Sequence, residues 1–428
     1  MNKVASFLIQ KLCTVCVVLA TMLLILPEEA SAVPAFARQT NMPCAACHFQ
    51  NFPTLNSFGR AFRAGGYTMS VGQSLIAGDD ISLPIVLNAS VIAKLRYVKT
   101  DGNTDEDTDH GRIEWPDEAA LLVGGRLAEK VGFLMELGLA DVASEEGGDI
   151  SANSFLSTKL HFNVFQAAGA QFSLIPFSTD GLGVGYGFEL LNTGAQRSQR
   201  PIEERRGFSA AQALGLGSGE ATGVALVASS NKFFLNYSPW VPGWGGTNMS
   251  VKPDGLAHYL RAVFMPSIGI WDIGFGVQAW TGDATVATDD GTGNKKDIVT
   301  DGWIIDAQAQ GQVFDGMPLG LYASYGECNG DPEHFAGNCT NADDANALAL
   351  LAQLGVLPNK ANIYVAYRTM DVGTAMDNTF DSWTVGVNYM AGQNIRFELF
   401  NVFENGSGVD ARTNDRDNKI VLQVFVGF

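Results

Sequence analysis

From about Leu83 to its last residue the chain keeps a hydrophobic period of two, and that rhythm confines it to β-structure. Ile363, Val365 and Tyr367 alternate with Asn362, Tyr364, Ala366 and Arg368. Trp271, Ile273, Phe275, Val277 and Ala279 alternate with Asp272, Gly274, Gly276 and Gln278. Trp303, Ile305, Ala307 and Ala309 alternate with Ile304, Asp306, Gln308 and Gln310, and Trp383, Val385, Val387 and Tyr389 with Thr384, Gly386 and Asn388. One face of each segment is apolar; the other is mostly Gly, Asn, Gln, Asp or Arg. A soluble sandwich also alternates. Here, however, the segments run to about ten residues or more, the length a tilted strand needs to cross a bilayer. No segment after Val33 is apolar enough for a transmembrane helix, so a membrane-spanning form of this chain is a closed barrel.

The connections alternate between tight turns and long polar loops, as in outer-membrane barrels. Tight turns are predicted near Ala128-Glu129-Lys130, Ala167-Ala168-Gly169, Ser229-Ser230-Asn231, Pro266-Ser267, Phe314-Asp315-Gly316, Leu357-Pro358-Asn359 and Ala391-Gly392. A strand near 83–99 precedes these hairpins and one at 418–428 follows, giving an all-β, antiparallel transmembrane barrel of about 16 strands. The segment 170–193 reads as one long irregular strand. The last strand carries Ile420, Leu422, Val424, Val426 and Phe428 on one face, resembling the aromatic end signal of Gram-negative outer-membrane barrels. An even strand count puts both termini on the periplasmic side.

The start of the chain reads as a secretion signal, 1–32: Lys3 and Lys11, an uncharged apolar run from Leu12 to Leu26, and Ala30-Ser31-Ala32 as the cleavage site. Export decides how the six cysteines are read. Cys13 and Cys16 leave with the signal. Cys328 and Cys339 sit in a loop of Gly, Asn, Asp and Pro and form the expected disulfide. Cys44-Ala45-Ala46-Cys47-His48 is a CxxCH, the attachment signature of c-type haem: two thiols for the porphyrin and an imidazole, His48, as proximal iron ligand. One covalently bound haem c is therefore the expected cofactor.

The segment 33–82 is too short to build a core alone. It is expected to form a partly helical monohaem cytochrome c unit braced inside, or at the periplasmic mouth of, the barrel 83–428. Phe36, Phe49, Phe52, Leu55, Phe58 and Phe62 are candidates to wrap the haem. Met69, 21 residues beyond His48, is a candidate distal ligand, because a thioether raises the potential of a c-type haem. Met42 lies too near the attachment site to reach across easily. His110 and His334 fall in predicted outer loops.

The net charge of −18 repels nucleic acid and attracts cations. Much of the acid lies in the long loops: Asp101, Asp105, Glu106, Asp107 and Asp109; Glu145, Glu146 and Asp149; Asp289 and Asp290; Asp343 and Asp344. The third loop, about 192–218, is the longest and differs in carrying Arg197, Arg200, Arg205 and Arg206 beside Glu203 and Glu204. By analogy with porins, it folds inward.

Three stretches resemble the fused cytochrome–porins of iron-oxidising bacteria: Ala32 through Thr40, Cys44 through His48, and Phe52-Pro53-Thr54-Leu55 with Phe58 through Tyr67. The close match covers about residues 32–67. Asn41 stands where the family usually has Gly, and Arg63 where it often has Lys. The resemblance implies a monohaem segment ahead of an outer-membrane barrel. It also implies an activity of the iron:cytochrome c oxidoreductase type, in which haem c takes one electron from extracellular Fe(II). The electron then passes to a periplasmic c-type cytochrome or other carrier. On that reading the acidic loops concentrate Fe(II), and barrel-inward Asp272, Asp306 and Glu398 are candidates for a cation path, with carboxylate oxygens as exchangeable ligands. Arg126, Arg368 and Arg396 are candidates for its walls or for the haem propionates. Two alternatives remain: a porin-type transport channel with a haem plug, and an electron conduit for a different donor or acceptor.

Overall fold

A computed structural model describes residues 34–78, 82–102, 109–141, 156–194, 199–204, 208–216, 219–243, 254–287, 295–412 and 417–428. The expected signal peptide, Asp105, Glu106, Asp107, Glu145, Glu146, Asp149, Arg197, Arg205, Arg206, Asp289 and Asp290 lie outside the described residues.

Among the described residues, sixteen antiparallel strands close into a barrel. In chain order they are β1 (Ala89–Thr100), β2 (Arg112–Ala128), β3 (Val131–Asp141), β4 (Leu156–Ala167), β5 (Ala170–Thr179), β6 (Ala221–Ser229), β7 (Phe233–Val241) and β8 (Ala257–Phe264). The second half comprises β9 (Trp271–Thr281), β10 (Gly302–Val313), β11 (Met317–Cys328), β12 (Ala345–Leu357), β13 (Ala361–Asp371), β14 (Thr379–Gly392), β15 (Ile395–Asn405) and β16 (Asn418–Gly427). β16 pairs with β1, with Leu422 opposite Tyr97, and Phe428 exchanges both backbone hydrogen bonds with Val91. Closure removes the exposed sheet edges that lipid could not satisfy.

Every strand is hydrogen-bonded to its sequence neighbours, as expected for a meander. Five of the seven tight turns fall where the sequence predicts them, and the fourth moves from Pro266-Ser267 to Gly269-Ile270, because Ser267 and Ile268 still pair with Asp272 and Trp271. The last moves to Gln393-Asn394, because the ladder slips a residue between Met390 and Gly392 and carries β14 further. At the β4–β5 turn Ala168 and Gly169 both take positive φ, the geometry that matches a right-handed strand twist.

Two sequence expectations change. The first barrel strand begins at Ala89; Ser82–Pro84 instead pairs with Leu75–Ala77 in a separate two-stranded ribbon. The segment 170–193 is not one strand. β5 stops at Thr179, and the chain turns into the lumen through a short 3-10 turn at Val184–Tyr186. The strand total is unchanged, and the third loop runs over 180–220. Its apolar residues Val184, Phe188, Leu190, Leu191 and Leu214 are buried in one cluster with inward side chains of the wall.

The period-two pattern sorts sides as expected. Val385, Val387, Leu399, Ile420 and Leu422 are exposed on the outer face, while Gln308, Gln353, Asn388 and Gln423 are buried inside. Exposed aromatics mark both rims. Trp115, Trp303, Trp383 and Phe403 lie toward the long-loop end; Phe165, Phe264, Phe314 and Phe428 lie toward the tight-turn end. Such girdles suit the two interfaces of a bilayer. A disulfide joins Cys328 at the end of β11 to Cys339, 11 residues on.

Among the described residues the lumen holds two inserted segments, the N-terminal plug and the third loop. Segment 34–77 lies within it toward the tight-turn end and carries α1 (Ala35–Thr40), α2 (Cys44–Cys47) and α3 (Ser57–Ala64). Its polar groups find partners on the wall: Gln50 Nε2 donates to Pro318 O at 3.1 Å, Gln353 Nε2 to Asn51 Oδ1 at 2.7 Å, and Arg396 Nη1 to Phe52 O at 2.9 Å. Arg60 forms an ion pair with Asp272, and Arg63 donates to Gln199 of the third loop. A polar lumen wall thus satisfies a segment that has no core of its own.

Candidate functional site

The site begins with one helical turn. Pro43 sets the entry to α2, whose four residues are Cys44 to Cys47. A spacing of three on a helix puts both thiols on one face. His48 leaves the turn with extended φ and ψ, and its N–H still donates to Cys44 O at 2.9 Å. The chain then loops back, and His48 bridges Leu55. In this loop His48 Nδ1 lies 3.1 Å from Thr54 O. A carbonyl can only accept, so Nδ1 carries the proton and Nε2 keeps the lone pair. This backbone brace orients metal-ligating histidines generally.

α3 supports the turn from behind. Asn56 caps α3, its Oδ1 accepting from Gly59 N at 2.9 Å, while its Nδ2 donates to Ala46 O at 3.0 Å. A side chain at Gly59 would run into the Cys47 carbonyl, so this glycine lets helix and turn meet backbone to backbone. Phe36, Phe62 and Tyr67 form an aromatic cluster: Phe36 stacks on Tyr67 at 5.1 Å and meets Phe62 edge-on at 5.3 Å.

A cavity of about 370 Å³ opens beside these groups, within the range of roughly 300–1,000 Å³ typical of small-molecule and cofactor sites. Cys44, Cys47 and His48 line it together with Phe36, Phe52, Leu55 and Phe62. Its far wall belongs to the barrel and the third loop, where Lys94, Glu118, Glu136, Asp180, Arg200 and Glu203 are brought in. Burial pushes both thiols up, Cys47 to about 11, and pushes the His48 imidazole down. The imidazole is therefore neutral at physiological pH, the form that binds a metal.

The remaining candidates divide. Phe49 and Phe58 do not line the cavity, and Phe58 is exposed. Met69 does not line it either; its carbonyl accepts from Gln39 Nε2 at 2.8 Å. Met42, discounted for its nearness to Cys44, does line it. The chain turns at Asn41, which is left-handed, and runs extended through Pro43, so that Met42 borders the same cavity as Cys44, which sequence distance alone could not show.

The three carboxylates read as a cation path do not form one. Asp272 is held by Arg60 of the plug. Asp306 is buried in a two-pronged pair with Arg261, 2.7 Å on each prong. Glu398 pairs with Arg396 and accepts from the Tyr364 hydroxyl at 2.7 Å. Each points inward as its period requires, but an arginine has taken the place a cation would need. Among the described residues no group of three or more His, Cys, Asp or Glu side chains is arranged to hold a metal ion. Arg126 bonds Ser82 and Thr68 O, and Arg368 pairs with Glu204, so neither reaches the cavity. The cavity cations are Arg63, Lys94 and Arg200. They come from the plug, β1 and the third loop, and no spacing in the sequence links them.

A c-type haem fits the residues present. Two thiols share one face, a braced imidazole offers Nε2, aromatic side chains supply an apolar wall, and cations stand at the far side for carboxylate substituents. The acidic groups predicted for the long loops are partly described. Asp101 accepts from Asn418 N at 3.0 Å, and Asp344 from Gly330 N at 3.1 Å.

No protein-family model matches the chain, and no curated protein matches it. Solved structures share its fold. The outer membrane channel DcaP of Acinetobacter baumannii has 12% identity and a TM-score of 0.50, the match covering 83% of this chain and 100% of that one. The high-pH structure of OprB from Pseudomonas putida has 13% identity and a TM-score of 0.51, covering 80% and 94%. At such identities the likeness concerns the fold: a porin-like barrel of the outer-membrane type.

Proposed function

We propose that this chain is an outer-membrane electron-transfer protein in which a haem c, held inside a porin-like barrel, moves single electrons across the membrane. The observation that carries the reading is the convergence of Cys44, Cys47 and His48 on a cavity within the lumen, with Nδ1 of His48 braced by Thr54. Cys44 and Cys47 would hold the haem by thioether bonds and His48 Nε2 would take the iron, with Arg63, which lines the cavity beside Gln199, to face a propionate. Bound there, the haem supplies a one-electron redox centre. Phe36, Phe62 and Tyr67 exclude water from one side. The plug, hydrogen-bonded around the wall, keeps solutes from following the electron.

Short turns in such barrels are periplasmic, so the proposed orientation puts the plug toward the periplasm and the acidic loops outside. The resemblance to the cytochrome–porins makes extracellular Fe(II) the electron donor and a periplasmic c-type cytochrome the acceptor. Outside oxidation suits the chemistry, since ferric iron is insoluble and only the electron needs to enter. Acidic loops raise the local cation concentration without binding it tightly.

The test is to add Fe(II) anaerobically to the oxidised protein in detergent near neutral pH and follow the reduced α band by stopped flow, with Cys47→Ala as control. Fast reduction is expected. A haem reduced by dithionite but not by Fe(II) sinks the iron reading and leaves another donor.

A second reading, a transport channel with the N-terminal segment as plug or gate, is favoured by the fold shared with an outer membrane channel. It requires porin-size conductance in planar bilayers and no reaction of the haem with Fe(II).

A further inference from the structure

Glu136 stands out among the charged groups of the cavity. It lies on β3, opposite Leu122 of β2 and Ser157 of β4, on the inward face shared with Gly132 and Leu134. It is half-buried and lines the same cavity as Cys44, Cys47 and His48.

The other charges around it are engaged. From β1, Lys94 reaches Glu118 of β2 at 2.6 Å and Glu203 at 3.2 Å. From the third loop, Arg200 holds Glu203 at 2.7 Å, and Asp180 accepts from Ser157 Oγ at 3.2 Å. From β4, Lys159 donates to Tyr186 O at 2.8 Å, and from the plug Arg63 donates to Gln199. Lys94 and Arg200 balance Glu118 and Glu203. Glu136 has no hydrogen-bond or ion-pair partner among the described residues. Its carboxylate lines the cavity, and the cations that act on it, Lys94 and Arg200, are already paired with Glu118 and Glu203.

We propose that Glu136 is the redox-linked proton acceptor of the cavity, taking up one proton from solvent when one electron arrives and releasing it when the electron leaves. This rests on the haem reading above. The balance is one electron from the donor, which is oxidised, and one proton from water onto a Glu136 carboxylate oxygen. The charge of the cavity is then the same before and after. Compensation of this kind is strongest in a low-dielectric lumen, where an unmatched charge interacts over longer distances than in water. Because reduction favours the protonated carboxyl, the haem becomes harder to reduce as pH rises through the Glu136 titration.

The experiment is spectroelectrochemical titration of the intact haem-loaded protein in detergent across pH 5–9, a range set around neutrality, for wild type and Glu136→Gln. The expected wild-type result is an apparent reduction constant that falls up to tenfold per pH unit, about 59 mV, within part of that range. Glu136→Gln flattens it. An equal slope in both proteins overturns the proposal and assigns the proton to another group, such as a haem propionate. Redox-difference infrared spectra of the wild type give an answer that needs no variant: a carboxylic acid C=O band is expected to appear on reduction, and its absence overturns the proposal. Wild-type protein that carries no covalent haem overturns the electron-transfer reading, and this inference with it. A haem-loaded protein with a pH-independent potential overturns this inference alone.

Discussion

At the scale of single residues, the site depends on backbone contacts as much as on ligands. His48 is oriented by a carbonyl, and the turn that carries it seats on α3 only because position 59 has no side chain. Gly59→Ala is expected to force turn and helix apart at a cost of about 1–3 kcal/mol, the usual range for overpacking. Haem content per protein, measured on purified material, should fall while the barrel keeps its heat-modifiable gel migration; unchanged haem content would show that the contact is not limiting. Glycine was visible here only as part of a matched stretch, because its role depends on Cys47, twelve positions away, folding back onto it.

At the scale of elements, the third loop adds to the direct contacts between plug and wall, since it meets Arg63 of the plug through Gln199 and Lys94 and Arg396 of the wall through Glu203. Burial raises Glu203, but Arg200, Lys94 and Arg396 overcome burial and hold it well below the ordinary carboxylate value of 4.5. The folded state therefore binds this proton less readily than the unfolded chain. The stabilisation is complete above pH 4.5 and is lost as pH falls toward the depressed value. Hydrogen exchange at 199–204, corrected for intrinsic rates, should accelerate below that pH. Glu203→Gln at neutral pH should mimic acid, costing about 3–5 kcal/mol because it strands buried cations; exchange as slow as in wild type would remove the loop's electrostatic anchor from this account. The disulfide acts on the long loop between β11 and β12. Reducing Cys328–Cys339, or replacing both with Ser, should cost about 3 kcal/mol by loop closure. It should raise protease sensitivity at that loop and leave the α band unmoved.

At the scale of the whole molecule, sixteen strands enclose a lumen into which the N-terminal plug and the third loop are inserted. The intact protein should therefore show no porin-size conductance in planar bilayers, and large stable openings would move the balance to the channel reading. Much of this architecture was legible beforehand. Five of the seven tight turns, the strand total and the inward third loop could be read because the alternation is local and each turn has its own chemistry. The end of β5 was missed because the run after Thr179 stays apolar while burying itself in the lumen, and an apolar run looks alike in a strand and in a buried loop. The arginine partners of Asp272, Asp306 and Glu398 were not legible for a different reason. Period two says that they point inward but not that Arg60, Arg261 and Arg396 meet them there.

The sequence by itself determined a β-barrel with apolar side out, and a CxxCH with two thiols and an imidazole at their required spacing. Both are written in separations of one to four residues, which covalent geometry converts directly into faces and turns. Only the tertiary structure decided which charges line the cavity, that Met42 and not Met69 borders it, and that Glu136 makes no ion pair of its own among the described residues. Those outcomes depend on barrel closure and on where the plug and third loop come to rest, which bring together residues more than a hundred positions apart.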